Sequence, residues 1–419
     1  MLPVFLAAQN SSAKTRYGDE SEMNTNELCE KLLSSCAGGV SALRAIVKLT
    51  PTGGDGDKVS PPTHEGGKYA FEERVVDGRM DVKTVLLDSV QSQANRLEDV
   101  LLTAVRAGSI RIPILQMDIP GHQTITSLSA PHRVHDAIFR DCQYKGTRFR
   151  DSEIGKEMVE ARAWNATGMF RLCPTALLFG TWDSQSGAGV NSAKFARALV
   201  SEIIGIDAVL GKRTSSRIDP LGIKAMPGTI YESKTEQWVL EEEAKARSTK
   251  PQLYKSKSPT STGKPAAINH GNIPPSVSDG GVTFREARQT AVLSFAQLRK
   301  LRFPIKGTES PDVNVAGRAV VAGLGILALA LQLEEGYQLR SRCHLIPEAT
   351  PEFEWIGAIA SDKLAANIDA KTAQEAFTAL YQQAKDAGLD WREEPITLVP
   401  EEKLVKLVQM SDQSTDVEE

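Results

Sequence analysis

Apolar residues at helical spacing are clearest between Ser89 and Ala107. Asp88 or Ser89 can cap the start of this segment, and Gly108 follows its end, which is typical of helix boundaries. The apolar stripe consists of Val90, Ala94, Leu97, Leu101 and Ala104. The pattern predicts an amphipathic helix that packs on a core.

Five further segments have helical spacing or composition. They are Thr25–Ser35, Ser192–Ile204, Arg285–Leu301, Ala316–Glu334 and Ala373–Ala387. The most apolar run of the chain, Ala319–Leu333, is shorter than the roughly 18–20 residues that cross a bilayer, and Arg318 and Glu334 flank it. We therefore expect a buried core helix there.

Short alternating or apolar runs predict strands. They are Ser41–Leu49, Ile110–Met117, Ile125–Leu128 and Tyr337–Leu345, while His132–Arg140 fits a helix or a strand. The resulting order of strand, helix, strands, insertions, helix and strand predicts an α+β fold with a ferredoxin-like βαββαβ core. RRM domains share this arrangement, which permits RNA binding without proving it.

Composition divides the chain into three segments. Residues 1–25 are polar and are predicted to be flexible, residues 26–345 hold the predicted core, and residues 346–419 form an acidic C-terminal extension with a helix. Within the core segment, residues 228–283 contain few large apolar side chains and many Lys, Ser, Pro and Gly. We expect a long insertion or mobile loop there.

The net charge of −4 conceals an asymmetry. From Leu345 onward the chain has 6 Lys and Arg against 16 Asp and Glu, whereas residues 1–344 have 43 against 37. Cationic stretches occur at Arg140–Arg150, Lys212–Lys224, Lys245–Lys264 and Arg285–Lys306. One such stretch is typical of a solvated surface, but several together favour a polyanionic partner.

The five cysteines are widely spaced and form no CxxC or Cys/His ligand pattern. We therefore expect reduced thiols, no structural zinc and no cofactor. Residues 1–9 lack the basic segment of a signal peptide. These features favour a cytoplasmic protein without a membrane span.

The polar face of the predicted helix at Ser89 is unusual. Gln91, Ser92, Asn95 and Arg96 offer neutral hydrogen-bonding groups and one cation. An ordinary solvated face favours Lys/Glu pairs, whereas this chemistry suits contacts with phosphate, sugar and base edges.

A glycine-containing tract, Gly180–Ser184, precedes the predicted helix Ser192–Ile204. Lys194, Arg197 and Ser201 would then form one stripe on that helix. A glycine loop followed by a helix N-terminus can bind an anion; the alternative is a plain turn before an amphipathic helix. No GxxxxGK[ST] motif supports nucleotide hydrolysis.

His132 and His135, with Asp136 beside them, could serve acid–base chemistry. No HExxH motif or cysteine cluster accompanies them. We favour an RNA-contacting or structural role for His132 over a catalytic one.

Taken together, several segments resemble one family, the RAMP-type backbone subunits of type I-G (formerly I-U) CRISPR effector complexes. The resemblance covers about residues 40–345. The segments are Val85–Glu98, Ser129–Arg133, Ala176–Ser184, Lys194–Leu199, Ser201–Ile203, Ser216–Gly222, His270–Pro275 and Leu298–Phe303.

The resemblance implies an RRM-like palm with inserted thumb and finger elements. Several copies would stack along one guide RNA (crRNA) and present it to a target DNA strand beside other effector subunits. The thumb is expected at residues 228–283, with 119–150 as the second choice. The resemblance implies no catalytic residue and no metal site.

Chemistry and resemblance together select the residues expected to contact RNA. These are Ser89, Gln91, Ser92, Asn95, Arg96, His132, Arg133, Trp182, Ser184, Lys194, Arg197, Arg217, His270 and Asn272. The alternative function is a RAMP-type endoribonuclease that processes guide RNA or cuts target RNA, with His132, His135 or Asp136 as its candidates.

Overall fold

The computed structural model describes residues 22–183, 193–223, 228–248, 250–256 and 261–418. The helices are α1 (Thr25–Ala37), α2 (Val90–Arg106), α3 (Ala137–Arg140), α4 (Glu153–Val159), α5 (Thr167–Leu172), α6 (Pro174–Phe179), α7 (Glu241–Arg247), α8 (Phe295–Leu298), α9 (Pro311–Glu335), α10 (Ala370–Asp386) and α11 (Glu402–Glu418). The protein is therefore a mixed α+β structure.

The strands belong to several separate sheets. In chain order they are β1 (Ala42–Pro51), β2 (Phe71–Val76), β3 (Arg79–Asp88), β4 (Leu115–Met117), β5 (Ile125–Thr126), β6 (Cys142–Tyr144), β7 (Thr147–Arg148), β8 (Thr181–Trp182), β9 (Lys194–Phe195), β10 (Leu199–Ile206), β11 (Val209–Arg217), β12 (Ile230–Ser233), β13 (Gln237–Leu240), β14 (Ile273–Thr283), β15 (Glu286–Ser294), β16 (Tyr337–Arg340), β17 (Cys343–Pro347), β18 (Phe353–Ile356), β19 (Lys363–Ala366) and β20 (Ile396–Pro400).

The chain divides into two compact units. The first holds the described residues up to 55, then 61–207 and those from 285 onward, and the second holds 56–60 and the described part of 208–284. In the second unit β11 pairs with β14 and β12 pairs with β13, both antiparallel. The insertion predicted at 228–283 thus contains strands and helix α7 rather than a continuous loop.

The first unit is organised around an antiparallel sheet with the order β16-β17-β1-β15-β10-β3-β2, to which β18 adds beside β1 and β19 beside β18. Alternation along β1 buries Leu43, Ala45, Val47 and Leu49, as expected for a strand with one face on a core. Helices α2 and α9 pack against this buried face and against each other.

Helix α9 is the central element of the core. It is long and apolar enough to cross a membrane, yet it is buried almost throughout. Helices α1 and α10 pack against it and against each other. The expected buried core helix is therefore confirmed, and α10 shows that part of the acidic C-terminal segment packs into the same core.

Two predicted helices are wrong. Residues Leu199–Ile206 form strand β10 and Glu286–Ser294 form β15, and these strands pair with each other in the middle of the sheet. The predicted helices Ser192–Ile204 and Arg285–Leu301 each contain several Ala, Leu or Arg residues, which favour helices. Tertiary pairing overrides that preference, because alternation buries Leu199, Ser201 and Ile203 on one face.

Other predicted elements differ in length. The strand expected at Ile110–Met117 is reduced to β4, which pairs in parallel with β20. The strand expected at Tyr337–Leu345 is the hairpin β16–β17. The hairpin β2–β3 was not predicted, because its residues alternate weakly and few of those in β2 are buried.

Candidate nucleic-acid interface

A cleft of about 430 Å³ lies in the first unit between α2, the turn at Pro131–Arg133 and the hairpin β8–β9. Its apolar wall includes Ala94, Phe179 and Phe195. None of the residues that line it carries a carboxylate. Seven of the residues selected from the sequence meet here: Gln91, Asn95, His132, Arg133, Trp182, Lys194 and Arg197.

Helix α2 presents two amides to the cleft. Ser89 caps the helix by accepting a hydrogen bond from Ser92 N at 3.2 Å. This cap sets the start of the helix, and Gln91 and Asn95, four residues apart, are exposed on the cleft side. Neutral amides can donate and accept, so they can contact sugars and base edges.

Three other selected residues of this segment have partners inside the protein. Ser89 serves as the cap, while Ser92 Oγ donates to Asp88 Oδ1 at 2.8 Å and Arg96 Nε donates to Asp88 Oδ2 at 2.9 Å. Arg96 also donates to the carbonyl oxygen of Leu339. The polar face that looked uniform in the sequence is therefore divided between the cleft and the interior.

Asp88 is fully buried and belongs to a polar network that connects α2 with the sheet. Gln93 Nε2 donates to Asp88 Oδ2 at 2.7 Å, and Gln93 Oε1 accepts from Ser201 Oγ and Gln289 Nε2, each at 2.9 Å. Arg340 donates to Asp88 Oδ1 at 3.0 Å. The network holds the first turns of α2, and thereby Gln91 and Asn95, against the sheet.

Arg133 is buried at the back of the cleft. Its Nε and Nη2 donate to the two carboxylate oxygens of Glu98 at 2.7 and 2.8 Å, and its Nη1 donates to Gly180 O at 3.0 Å. The guanidinium also lies over the ring of Phe179, 5.4 Å from its centroid. Burial raises the pKa of Glu98 to about 7, and Arg133 opposes that rise. Arg133 thus forms part of the cleft wall.

The hairpin β8–β9 carries the aromatic and cationic groups of the cleft. Trp182 is 61% exposed and pairs across the hairpin with Lys194, whose Nζ lies 6.0 Å from the centre of the indole. Arg197 Nε donates to Phe179 O at 3.1 Å. An exposed indole beside an ammonium group can stack a base and bind its phosphate. Ser184 lies outside the described residues.

The predicted helix-terminal anion site is wrong. Lys194 is in β9, Arg197 follows β9, and Ser201 is buried in β10. The tract Gly180–Trp182 leads into a strand instead. Gly180 has φ +79°, and a Cβ there would lie 3.0 Å from both Arg197 N and Phe195 O, so the close approach of these backbones requires glycine.

The contacts of His132, His135 and Asp136 indicate structural roles. Asp136 caps α3 by accepting from Ile138 N at 3.1 Å, and it also accepts from His132 N at 3.2 Å. His135 Nδ1 lies 2.8 Å from Thr181 Oγ1. His132 is exposed at the cleft, whereas burial lowers the pKa of His135 to about 4.

The depressed pKa of His135 predicts a pH-dependent loss of stability. The unfolded chain binds a proton near pH 6.5 and the folded protein near pH 4, so the free energy of unfolding falls as pH falls through this interval. We expect His135→Gln to flatten that dependence, measured by urea unfolding across the interval. The exposed His132→Gln is the matched control. An unchanged slope in His135→Gln would contradict the prediction.

The remaining selected residues meet in the second unit around Asp219, which is buried. Asp219 N donates to Asn272 Oδ1 at 2.7 Å, and Gly271 N donates to Asp219 Oδ2 at 2.8 Å. Backbone amides, Gly271 first, lower the pKa of Asp219. Arg217 and His270 lie 3.8 and 3.7 Å from Asp219. Two segments far apart in sequence thus form one cluster at the end of the β11–β14 ladder.

The sequence analysis did not identify the buried polar residues that lie behind the cleft wall. Asp88, Glu98 and Gln289 are polar and buried. Glu98 directly follows Leu97 of the apolar stripe of α2, and Gln93 directly precedes Ala94. Polar residues at the edge of an apolar stripe were the available signal, since buried polar groups need partners.

The chain is similar to known proteins over part of its length. Residues 43–210 match the family model of the CRISPR-associated protein GSU0053, and the comparison with curated sequences gave no match. A chain of a solved CRISPR RNA-guided surveillance complex in a pre-nicking state is 10% identical, with a TM-score of 0.33 over 88% of this chain and 99% of that chain. That TM-score is too low to carry an argument about the fold. The family model therefore covers less than half of the chain, and its matched segment includes every residue that lines the cleft.

Proposed function

We propose that the protein is a non-catalytic backbone subunit of a type I-G CRISPR effector complex that binds guide RNA in the cleft. The observation that carries the proposal is the convergence of Trp182, Lys194, Gln91 and Asn95 in one cleft, whose described lining residues include no carboxylate. Stacking, phosphate attraction and amide hydrogen bonds are the three interactions that RNA-binding surfaces combine.

The order of strands supports a ferredoxin-like palm. Strand β17 lies beside β1, β1 beside β15, and β15 beside β10, all antiparallel, with α2 before β10 and α9 before β17. A βαββαβ motif with inserted elements would have this order, which supports the proposed palm. The ladder β11–β14 is our candidate for the thumb.

In the proposed assembly, copies of the chain follow one another along the RNA and leave its bases available to a target DNA strand. Other effector subunits would complete the complex in the cytoplasm. The RAMP-type endoribonuclease remains the competing hypothesis. The roles of Asp136 as a helix cap and of His135 as a half-buried ring with a lowered pKa favour binding over acid–base catalysis.

Affinity for guide RNA tests the proposal. We expect Trp182→Ala to weaken binding about 5- to 100-fold, because stacking is worth about 1–3 kcal/mol per base. Lys194→Gln should reduce the slope of log affinity against log salt by about one, because one phosphate contact is lost. Fluorescence anisotropy with labelled guide RNA in a salt series measures both effects.

The exposed Lys371→Gln on α10 is the matched control and should change neither quantity. Unchanged affinity in Trp182→Ala and Lys194→Gln would refute the cleft as the RNA site. Incubation with guide precursor and target RNA, with and without magnesium, tests the competing hypothesis. Specific cleavage that is lost in His132→Ala would overturn the non-catalytic proposal.

A further inference from the structure

A second exposed tryptophan lies outside the cleft. Trp164 is 66% exposed, and it is not among the residues that line the cavity around Trp182. Exposing an indole to water forgoes the favourable burial of one of the largest apolar side chains. Among the residues that the structure describes, this indole is left open to solvent.

The backbone holds Trp164 on a tight, anchored turn. Arg162 N donates to Asn165 O at 3.1 Å and Asn165 N donates to Arg162 O at 2.9 Å, which closes the turn. Arg302 N donates to Ala163 O at 2.7 Å, and Ala166 N donates to Arg302 O at 2.8 Å. The turn is thus bonded on both sides of Trp164 to the segment around Arg302. Because the backbone on both sides of Trp164 is anchored, less conformational entropy is lost when the ring binds a ligand.

The segment bonded to this turn is part of the cationic stretch Arg285–Lys306 that the sequence singled out. Most of its arginines have partners inside the unit, since Arg299 donates to backbone carbonyls and Arg302 pairs with Glu309 at 3.3 Å. Lys300 and Lys306 are exposed, and neither has a carboxylate within ion-pair distance among the residues that the structure describes.

Lys306 is itself fixed on a second tight turn. Ile305 N donates to Thr308 O and Thr308 N donates to Ile305 O, each at 2.9 Å. Lys300 and Lys306 lie two and four residues from Arg302, the residue to which the Trp164 turn is bonded. Connected, anchored backbone thereby presents an indole and two exposed ammonium groups. Of these, the Lys300 ammonium donates to Gln297 Oε1 at 3.1 Å.

We propose that Trp164, Lys300 and Lys306 form a second binding site for single-stranded nucleic acid, separate from the cleft. A base stacks on the indole while the two ammonium groups bind neighbouring phosphates. Protein–protein interfaces are enriched in tryptophan but depleted in lysine, so the two exposed lysines favour a nucleic-acid strand as the occupant. The inference does not depend on the function of the cleft.

Oligonucleotide binding by the full chain tests the site. Labelled oligouridine and oligothymidine of about 15 nucleotides are titrated in separate arms, which distinguishes RNA from DNA as the ligand. We expect Trp164→Ala to weaken binding about 5- to 100-fold in at least one arm, and Trp164→Phe to retain most of the affinity. Lys300→Gln with Lys306→Gln should lower the salt slope by about two.

Two comparisons separate this site from the rest of the protein. Trp238→Ala, which removes a partly exposed tryptophan of the second unit, is the matched control and should leave affinity unchanged. In the Trp182→Ala background, the loss caused by Trp164→Ala should persist with the same fold-change, because separate sites contribute additively. The fold-change caused by Trp164→Ala would thus be the same even if the cleft did not bind RNA.

Photo-cross-linking of wild-type protein to iodouracil-substituted oligonucleotides should attach to the peptide that contains Trp164, a readout that does not require a folded variant. Unchanged affinity of Trp164→Ala in both arms overturns the proposal, and so does the absence of a cross-link to that peptide. A Trp164→Ala variant that loses self-association without nucleic acid, at unchanged oligonucleotide affinity, would instead assign the surface to a protein contact.

Discussion

Replacing Asp88 by alanine is expected to lower the free energy of unfolding by about 3–5 kcal/mol. The Asp88 side chain is fully buried and accepts hydrogen bonds from Gln93, Arg96 and Arg340 at 2.7, 2.9 and 3.0 Å, in addition to that from Ser92. Its removal leaves Arg96 and Arg340 without their carboxylate partner. The side chains of these two arginines are only 27% and 26% exposed.

Urea unfolding measures this loss. Asp99→Ala is the matched control, because Asp99 is an exposed carboxylate on the same helix, and substitutions at such positions change stability by about 0.5 kcal/mol or less. Equal effects of the two substitutions would contradict the role of Asp88. Arg96→Ala is expected to destabilise as well, since it removes a partner of a buried carboxylate; a variant with native stability would argue against that role.

Replacing Arg133 by alanine is expected to cost a similar amount, about 3–5 kcal/mol. Glu98 is 1% exposed and would lose both of its charged hydrogen bonds, while Gly180 O would lose one donor. Because Arg133 and Gly180 form one wall of the cleft, we also expect weaker binding of guide RNA. Urea unfolding and anisotropy measure the two effects.

The loss in Arg133→Ala should depend on pH with a defined sign. Burial raises the pKa of Glu98 in the folded protein to about 7, above its usual value of 4.5, and removal of Arg133 raises it further. The folded state then favours the protonated carboxyl, so the variant becomes less stable as pH rises through neutrality. A deficit that grows as pH falls would contradict this account.

A paired substitution provides the control for the Glu98–Arg133 interaction. Glu98→Gln combined with Arg133→Met leaves neither charge buried alone, and replacing a buried ion pair by groups of similar volume is often nearly neutral. We expect the double variant to be more stable than Arg133→Ala. If it were less stable, the destabilisation would come from lost packing rather than from an uncompensated charge.

Local pattern was sufficient for helices α2 and α9. The stripe from Val90 to Ala104 defined α2, with Ser89 as its cap, and the apolar run Ala319–Leu333 defined the buried helix α9. In both cases the energy that selects the structure depends on side chains three or four residues apart. That information is contained in a short window of sequence.

Strands β10 and β15 depend on distant partners. The predicted helices included neighbouring Ala and Arg residues, whereas the pairing of β15 with β1 on one side and β10 on the other stabilises the extended form. The predicted anion site failed for the same reason, because Lys194 and Arg197 were assigned to a helix that is a hairpin followed by a strand.

The candidate site also combines features that local sequence predicts with features that depend on distant partners. Sequence by itself determined which segments to consider together, and residues of α2, of the turn at His132 and of the hairpin at Trp182 do meet in one cleft. Only the tertiary structure decided which side chains face it. Gln91 and Asn95 turn outward while Arg96 and Arg133 pair with the buried carboxylates Asp88 and Glu98, because a charge inside a protein requires a partner that the chain brings from elsewhere.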